Sequence, residues 1–400
     1  MATNIRNRQL EICSMALQEL SSAVFEENHP LDLQVKQLFR QNKSWGSKDR
    51  RFYSETIYAY FRWYGWFKQL DQPVSLNITE IAFQLSTVET CEEAMEIFNT
   101  NYPEQTFLLE GLLPEGMTTL FDGTNEELMT FIRQQQFRPP VWLRCRQADQ
   151  LPTLIKELEA MGLKVEAHKT MTLALKVIGR FNIQLLPSYK QGLVEVQDFA
   201  SQCIGTIAAP RGESHWLDAC AGAGGKGLQL SDIRKGKGKI TATDLREKAL
   251  LELRKRFRKA RINLVRAFTH DFVKAPLKGA KFDGVIVDAP CSNSGTWRRN
   301  PGLRWNFSQK KVEKVAQLQL AILENASESV KPGGTLVYST CSACTLENAG
   351  VVELFLEKHP DFEGAPITHP ITRAKVQTSL TLKAELADND SMFVAKFTRK

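Results

Sequence analysis

HWLDACAGAGGKG, residues 215–227, is the stretch that decides the fold. An apolar run ends in Asp218, glycines follow at 222, 224, 225 and 227, and LQLSDI then reads as a helix. Glycine lacks a Cβ, so a chain rich in it turns tightly and lets backbone approach a ligand. Gly222, Gly224 and Gly227 form a literal G-x-G-x-x-G. Asp244 ends the next apolar run, 22 residues after Gly222, where an acid accepts hydrogen bonds from ribose hydroxyls. The glycines alone also fit a ligand-free turn. The strand, the helix and the acid together favour an adenosine cofactor. A Walker A loop is excluded, because Cys220 rather than glycine stands five residues before Gly225.

Two cofactors then remain open, a nicotinamide dinucleotide and S-adenosylmethionine. Asp218 favours the second, since an acid there repels a pyrophosphate but engages a cationic methionine end. Asp271, ending a third strand, is placed toward the adenine side, or else caps a turn.

Working outward, KITATD, RAFTHD, FDGVIVD and GTLVYST are further apolar runs with polar or acidic ends. Helical segments lie between several of them, at 246–261 and 308–330. This alternation predicts a parallel, doubly wound sheet. Upstream, Pro139-Pro140 breaks a helical pattern, and residues 136–205 alternate strand and helix as a small α/β module. Residues 1–135 are helical by period, with apolar positions every three or four residues in LEICSMALQELSSAVF and FYSETIYAYFRWYGWF. The expected organisation is an all-α domain (1–135), a small α/β module (136–205) and a Rossmann-like domain (206–400).

Two strands of that last domain run into a cysteine: VIVDAPCSNSG at 285–295 and LVYSTCSAC at 336–344. One helix separates them, so their strands should lie side by side. Cys291 and Cys341 then share the sheet edge where ligands bind. A thiolate beside a methyl donor suits methylation of a pyrimidine at carbon 5, an atom that becomes nucleophilic only after a thiolate adds to carbon 6. Such chemistry asks for a cysteine of lowered pKa and an acid to steady the ring, for which Asp288 is placed. Against this, Cys341-Ser-Ala-Cys344 is a C-x-x-C. With no second such pair and scattered histidines, zinc or redox use is disfavoured and no metal is expected.

The 400 residues are 42% hydrophobic and 24% charged, as for a globular chain, with a net charge of +7. The positive charge is clustered: residues 246–261 hold eight Lys/Arg against two Glu, with further groups at 234–239 and in RRNPGLRW, 298–305. These read as solvated faces or as a phosphate-contacting surface. Eight cysteines over this length do not make a secreted disulfide scaffold. No apolar run is long enough for a membrane span, and the charged N-terminus is unlike a secretory signal, so a cytoplasmic location is expected.

DACAGAGGK, ATDLR, DAPCSNSG with RRNPGLRW after it, and PGGTLVYSTCS with Glu347-Asn348 together resemble the RNA (cytosine-5) methyltransferases of the RsmB and Nop/Sun type. The resemblance covers nearly the whole chain. GLVEVQDFASQ at 192–202 is similar to the motif preceding their catalytic domain, and the N-terminal helices look like the NusB-like domain of the bacterial ribosomal branch. The resemblance implies Cys341 as nucleophile, Cys291 as the thiol that assists release, Asp288 as a contact to the target base and Lys226 lining the site. It implies a loop that holds S-adenosylmethionine through Asp218, Ala219, Cys220, Ala221, Gly222, Gly224, Gly225 and Lys226, together with Asp244, Asp271 and Asp288. Departures from the family pattern are Ala223 for proline, Arg146 after WLR-x-, DSMF at 390–393, and DAPCSNSG where DAPCSGTG is usual. The expected partner is RNA, ribosomal before transfer RNA, and the expected state is a monomer. The competing readings are an RNA-binding assembly factor with an idle domain, and an NAD-dependent oxidoreductase.

Overall fold

The computed structural model describes residues 2–262 and 264–400. It divides into two compact units. One is Met1–Arg138 together with Thr296–Lys311; the other is Pro139–Gly295 with Val312–Lys400.

The first unit is helical: α1 (Ala2–Phe25), α2 (Leu31–Gln41), α3 (Ser47–Gln69), α4 (Leu76–Leu85), α5 (Cys91–Asn101) and α6 (Asn125–Gln135). The aromatic run in α3 is core. Phe61, Trp63 and Trp66 are fully buried, and the Trp66 indole N–H donates to the Leu108 carbonyl at 2.7 Å. Gly65 lets α3 lie against the turn at Leu109–Leu112, where an added Cβ would meet the Gly111 carbonyl oxygen at 2.0 Å. Residues 296–311, counted by sequence with the C-terminal domain, are built into this helical core. Arg304 is 0% exposed, and its guanidinium donates to the carbonyls of Arg62, Leu112 and Gln135 at 3.0–3.2 Å. Trp305 donates to the Phe61 carbonyl at 2.6 Å, and Arg298 is buried too. RRNPGLRW therefore spends two of its three arginines on packing, which corrects its reading as an exposed basic loop.

The second unit begins with a small antiparallel sheet of β1 (Val141–Cys145), β2 (Lys164–Ala167), β3 (Ala174–Ile178) and β4 (Val194–Val196), in the order β2-β3-β1-β4, with helix α7 (Leu151–Ala160). Helix α8 (Phe199–Ala208) leads into the main sheet. There β5 (His215–Asp218), β6 (Lys239–Asp244), β7 (Leu264–Thr269), β8 (Phe282–Asp288) and β9 (Val330–Thr340) are parallel, as the alternation predicts. They alternate with α9 (Gly225–Ile233), α10 (Glu247–Lys259) and, between β8 and β9, α11 (Gln309–Ser327).

The sheet as a whole is mixed rather than purely parallel. After α12 (Ala349–Lys358) come β10 (Phe362–Gly364), a small pair β11 (Pro366–Thr368) and β12 (Lys375–Gln377), then β13 (Ser379–Leu382) and β14 (Met392–Arg399). β14 returns antiparallel to β9, giving the order β10-β14-β9-β8-β5-β6-β7 with β13 beside β14. Both faces are covered, because neighbouring residues point opposite ways along a strand. Trp216, Ile286, Val337 and Val394 pack with α8, α9 and α10, while Leu217, Val285, Val287, Tyr338 and Phe393 pack with α11 and α12. Each fully buried aliphatic side chain here contributes about 1.5–3 kcal/mol.

Candidate active site

The parallel pairing of β8 and β9 sets the site. Asp288 lies opposite Ser339 at the end of the shared ladder, and both chains then leave the sheet on the same edge. Cys291 and Cys341 follow within three residues, and their sulfurs are 3.1 Å apart. The side-by-side placement drawn from one intervening helix is therefore what the fold adopts.

The two loops are held by groups between them. The Glu347 carboxylate, fully buried in the turn Thr345–Glu347, accepts the Ser292 N–H at 2.7 Å and the Ser342 hydroxyl at 2.5 Å. The Gln319 amide of α11 donates to the same carboxylate at 3.0 Å and to the Pro290 carbonyl at 2.9 Å. Gly295 donates to the Cys341 carbonyl at 2.9 Å and accepts the Ser391 N–H at 3.1 Å. Asn348 closes the second loop by accepting the Thr340 hydroxyl at 2.7 Å and donating to the Ser342 carbonyl at 3.1 Å.

Asp288 is paired with Lys226, which lies in the first turn of α9, at 2.7 Å, and takes the Ser339 hydroxyl at 2.9 Å. Four of the sequence-selected residues, Cys291, Cys341, Asp288 and Lys226, thus meet at one edge. The Cys341 thiol is pushed well above its ordinary value by the hydrogen bond to Cys291, by burial and by the Asp288 charge, with Lys226 opposing. A lowered pKa was expected. The Cys291 contact, burial and the Asp288 charge outweigh Lys226 and favour the thiol in the free protein.

The glycine loop joins β5 to α9 on the neighbouring strands. Gly222 and Gly224 take positive φ (+52° and +84°), and a Cβ on Gly224 would lie 2.8 Å from Leu253 and Phe257. Gly222 N–H donates to Asp244 at 2.8 Å, and Gly227 N–H to Asp218 at 3.0 Å. Thr243 ties the strand ends through the Ala219 carbonyl at 2.8 Å, and Ala221 N–H donates to the Thr243 carbonyl at 2.8 Å. Burial opposes ionisation of Asp244, yet hydrogen bonds from Arg246 and Gly222 overcome it and hold the carboxyl below the usual range. Burial, then the Asp288 charge, pushes Asp218 up to about 7. One oxygen of this 1%-exposed carboxyl has no hydrogen-bond partner among the described residues. Burial also raises the Cys220 thiol. Asp271 lies past the end of β7, where it accepts the Val273 N–H at 3.0 Å and pairs with Lys274 at 3.3 Å. That is the turn-capping alternative in geometric form.

Of the C-x-x-C, Cys344 is fully buried with its thiol raised to about 12 by burial, and its sulfur lies 3.7 Å from the Ser294 hydroxyl. Among the described residues no cluster of three His, Cys, Asp or Glu could hold a metal. Among the described residues no helix is long and apolar enough to cross a membrane. The basic helix α10 is partly committed to the fold: Arg256 pairs with Glu195 at 2.6 Å, Arg254 with Glu247 at 2.6 Å, and Lys259 lies over the Tyr189 ring. Lys248, Lys255, Arg258 and Arg261 remain exposed. Sequence reasoning gave no role to Glu347, Gln319 or Asn293. Two signals were visible: Glu347-Asn348 among the motifs of the resemblance, and Asn293, a side chain where the family pattern has glycine.

Residues 205–398 match a family described as 16S rRNA methyltransferase RsmB/F. The chain is 33% identical over 212 residues to a probable ribosomal RNA small subunit methyltransferase B of Bacillus subtilis, covering 52% of this chain and 47% of that one. It is 32% identical over 255 residues to ribosomal RNA small subunit methyltransferase B of Shewanella oneidensis, covering 63% and 58%. These matches span about half the length of the curated relatives. Among solved structures, PH0851 superposes with a TM-score of 0.76 at 22% identity, covering 96% of this chain and 98% of that one. NSun6 from Pyrococcus horikoshii gives 0.61 at 18%, covering 72% and 98%. At these identities the likeness concerns the fold.

Proposed function

We propose, from the match of residues 205–398 to the RsmB/F family of ribosomal RNA methyltransferases, that the chain methylates carbon 5 of a cytosine in RNA, most simply ribosomal RNA. The observation that carries the reading is the pair of thiols 3.1 Å apart at the ends of adjacent parallel strands, beside the Asp288–Lys226 ion pair. Neither an idle domain nor a nicotinamide enzyme requires that pair.

S-adenosylmethionine is the fitting cofactor and supplies, when bound, the methyl group that carbon 5 takes up. The residues present suit it. The buried Asp218 oxygen without a partner can engage a cationic end, Asp244 lies where ribose hydroxyls fall, and Gly222 and Gly224 keep Cβ atoms out of the loop. Arg246, exposed and bound to Asp244, is the side chain that must yield there.

The chain's own part is covalent catalysis. Cys341, once deprotonated, adds its sulfur electron pair to carbon 6 of cytosine, and the electrons of the 5–6 double bond move to carbon 5. Asp288, held by Lys226 and Ser339, contacts the base and steadies the altered ring. After methylation the carbon-5 proton leaves to a base, the 5–6 double bond re-forms, and the carbon–sulfur pair returns to Cys341. Cys291, in contact with that sulfur, assists the release.

We read the helical unit as a NusB-like RNA-binding domain, and the exposed cations of α10 as phosphate contacts. The test is incubation with unmodified ribosomal and transfer RNA and labelled cofactor, followed by nucleoside analysis. Label in 5-methylcytidine is expected. Cys341→Ala should abolish it, and Cys291→Ala should leave protein covalently held on RNA. Label in no nucleoside, or full activity of Cys341→Ala, overturns the reading.

A further inference from the structure

The side chain of Asn293 stands between the two cysteines, and its orientation is fixed. Its Nδ2 donates to the Cys291 carbonyl at 3.1 Å, so its Oδ1 faces the sulfurs, 3.1 Å from Cys341 and 4.0 Å from Cys291. The opposite amide orientation would set oxygen against carbonyl oxygen. An amide oxygen has no proton to give, so at 3.1 Å the Cys341 thiol is the donor. Either sulfur can donate across the 3.1 Å contact between Cys291 and Cys341. Asn293 thus links the two cysteine loops, accepting from Cys341 and donating to the Cys291 carbonyl. Asn293 also takes φ +57°, a left-handed conformation that glycine adopts freely and asparagine tolerates.

We propose that Asn293 is a positioning residue of the reaction: its amide oxygen holds the Cys341 thiol as a hydrogen-bond donor, keeping the nucleophile protonated until substrate is present. The inference rests on the nucleophilic role of Cys341 given above. A thiolate at Cys341 would face the amide oxygen's lone pairs at 3.1 Å, so the side chain disfavours the charged form in the free protein. Three other ionisable groups act on that sulfur. Cys291 and Asp288 act in the same sense, and Lys226 in the opposite one. Asn293 adds to the first two without carrying charge. It therefore sets the resting state without altering the electrostatics that the substrate meets.

Asn293→Gly removes the amide and suits the positive φ, so the fold should persist; thermal unfolding checks this. The experiment is a thiolate titration of the protein without RNA or cofactor, from about pH 7 to about pH 11.5. Ultraviolet thiolate absorbance is read as the difference between each protein and its own Cys341→Ala version, so no reagent has to enter the site. The Cys341 midpoint should fall by about one pH unit in Asn293→Gly, the size of one lost hydrogen bond, and rise in Asn293→Asp, where the acceptor becomes a charge. An unchanged midpoint in folded Asn293→Gly overturns the proposal. The acid limb of methyl transfer to RNA is the second readout and should move in the same direction. If the titration shifts while neither protein transfers methyl, the proposed activity fails and the role in catalysis falls with it. If both proteins transfer methyl with the same pH profile and the same midpoint, only the role of Asn293 fails.

Discussion

The Asp218 carboxyl takes the Gly227 N–H on one oxygen and leaves the other without a partner, in a site where burial and the Asp288 charge raise it to about 7. Between its unfolded value, near 4, and about 7 the native protein holds this proton more tightly than the unfolded chain. Its contribution to stability is therefore present at low pH and lost as pH rises through about 7. Asp218→Asn keeps the acceptor for Gly227 but cannot ionise. The melting temperature of the variant relative to the wild type should climb as pH rises from about 4 to about 7, then level off. A constant difference over that window would show that Asp218 does not titrate there. The same variant should weaken S-adenosylmethionine at least about 10-fold, measured by calorimetry, because a charge-assisted contact is lost. At this scale the residue types were legible, since acids at strand ends and glycines in a βα turn are local patterns. Their protonation was not. Cys341 was expected to be acidified, yet a thiol neighbour, burial and Asp288 act together to raise it.

At the scale of elements, the site depends on two loops leaving adjacent strands in register. Gly295 joins them to the start of β14 by donating to Cys341 and accepting from Ser391. A Cβ there would stand 2.0 Å from the Ser391 carbonyl oxygen and 3.0 Å from that of Cys341, both backbone atoms that cannot swing aside. Gly295→Ala should cost about 2 kcal/mol in urea unfolding and lower methyl transfer more than cofactor binding, since the glycine loop lies elsewhere. Equal losses of both would mean a general disturbance. Glu347 makes the complementary case, a carboxylate taking donors from both cysteine loops and from α11. Glu347→Gln removes the charge from the acceptor shared by both loops and α11, and turnover should fall about 10-fold or more with the fold retained. The strands that carry the cysteines were readable because apolar runs with polar ends mark buried parallel strands. The pin between them was not, because Glu347 is distant in sequence from Ser292 and is brought to it only by the β8–β9 pairing.

At the scale of the whole molecule, one stretch of chain belongs to a unit other than that of its sequence neighbours. Residues 296–311 follow Gly295 directly and are built into the helical unit, with Trp297 and Arg304 fully buried there. Burial, then the charge of Arg62, lowers Arg304 to about 9, and its two terminal nitrogens donate to backbone carbonyls. Arg304→Ala leaves those carbonyls unpaired and should cost about 3 kcal/mol, seen as a lower midpoint in denaturant. Deleting residues 1–138 removes the core that 296–311 completes. The remaining chain should aggregate or bind a hydrophobic dye, whereas a cleanly folded, monodisperse fragment would show that the segment can refold without it.

The sequence by itself determined the order of helical unit, small α/β module and parallel strand–helix core, and the sheet edge at which Asp288, Cys291, Cys341 and Lys226 gather. These follow from short-range patterns: the period of apolar positions, the glycines of one turn, and acids and cysteines placed at strand ends. Only the tertiary structure decided that β14 returns antiparallel, that two arginines of RRNPGLRW are buried, that much of the charge on α10 is tied to Glu195, Glu247 and Tyr189, and that the Cys341 sulfur lies 3.1 Å from the Asn293 amide oxygen. Each of these depends on a group distant in sequence that packing brings within reach. A charge or a thiol has no fixed state until its neighbours and its burial are set.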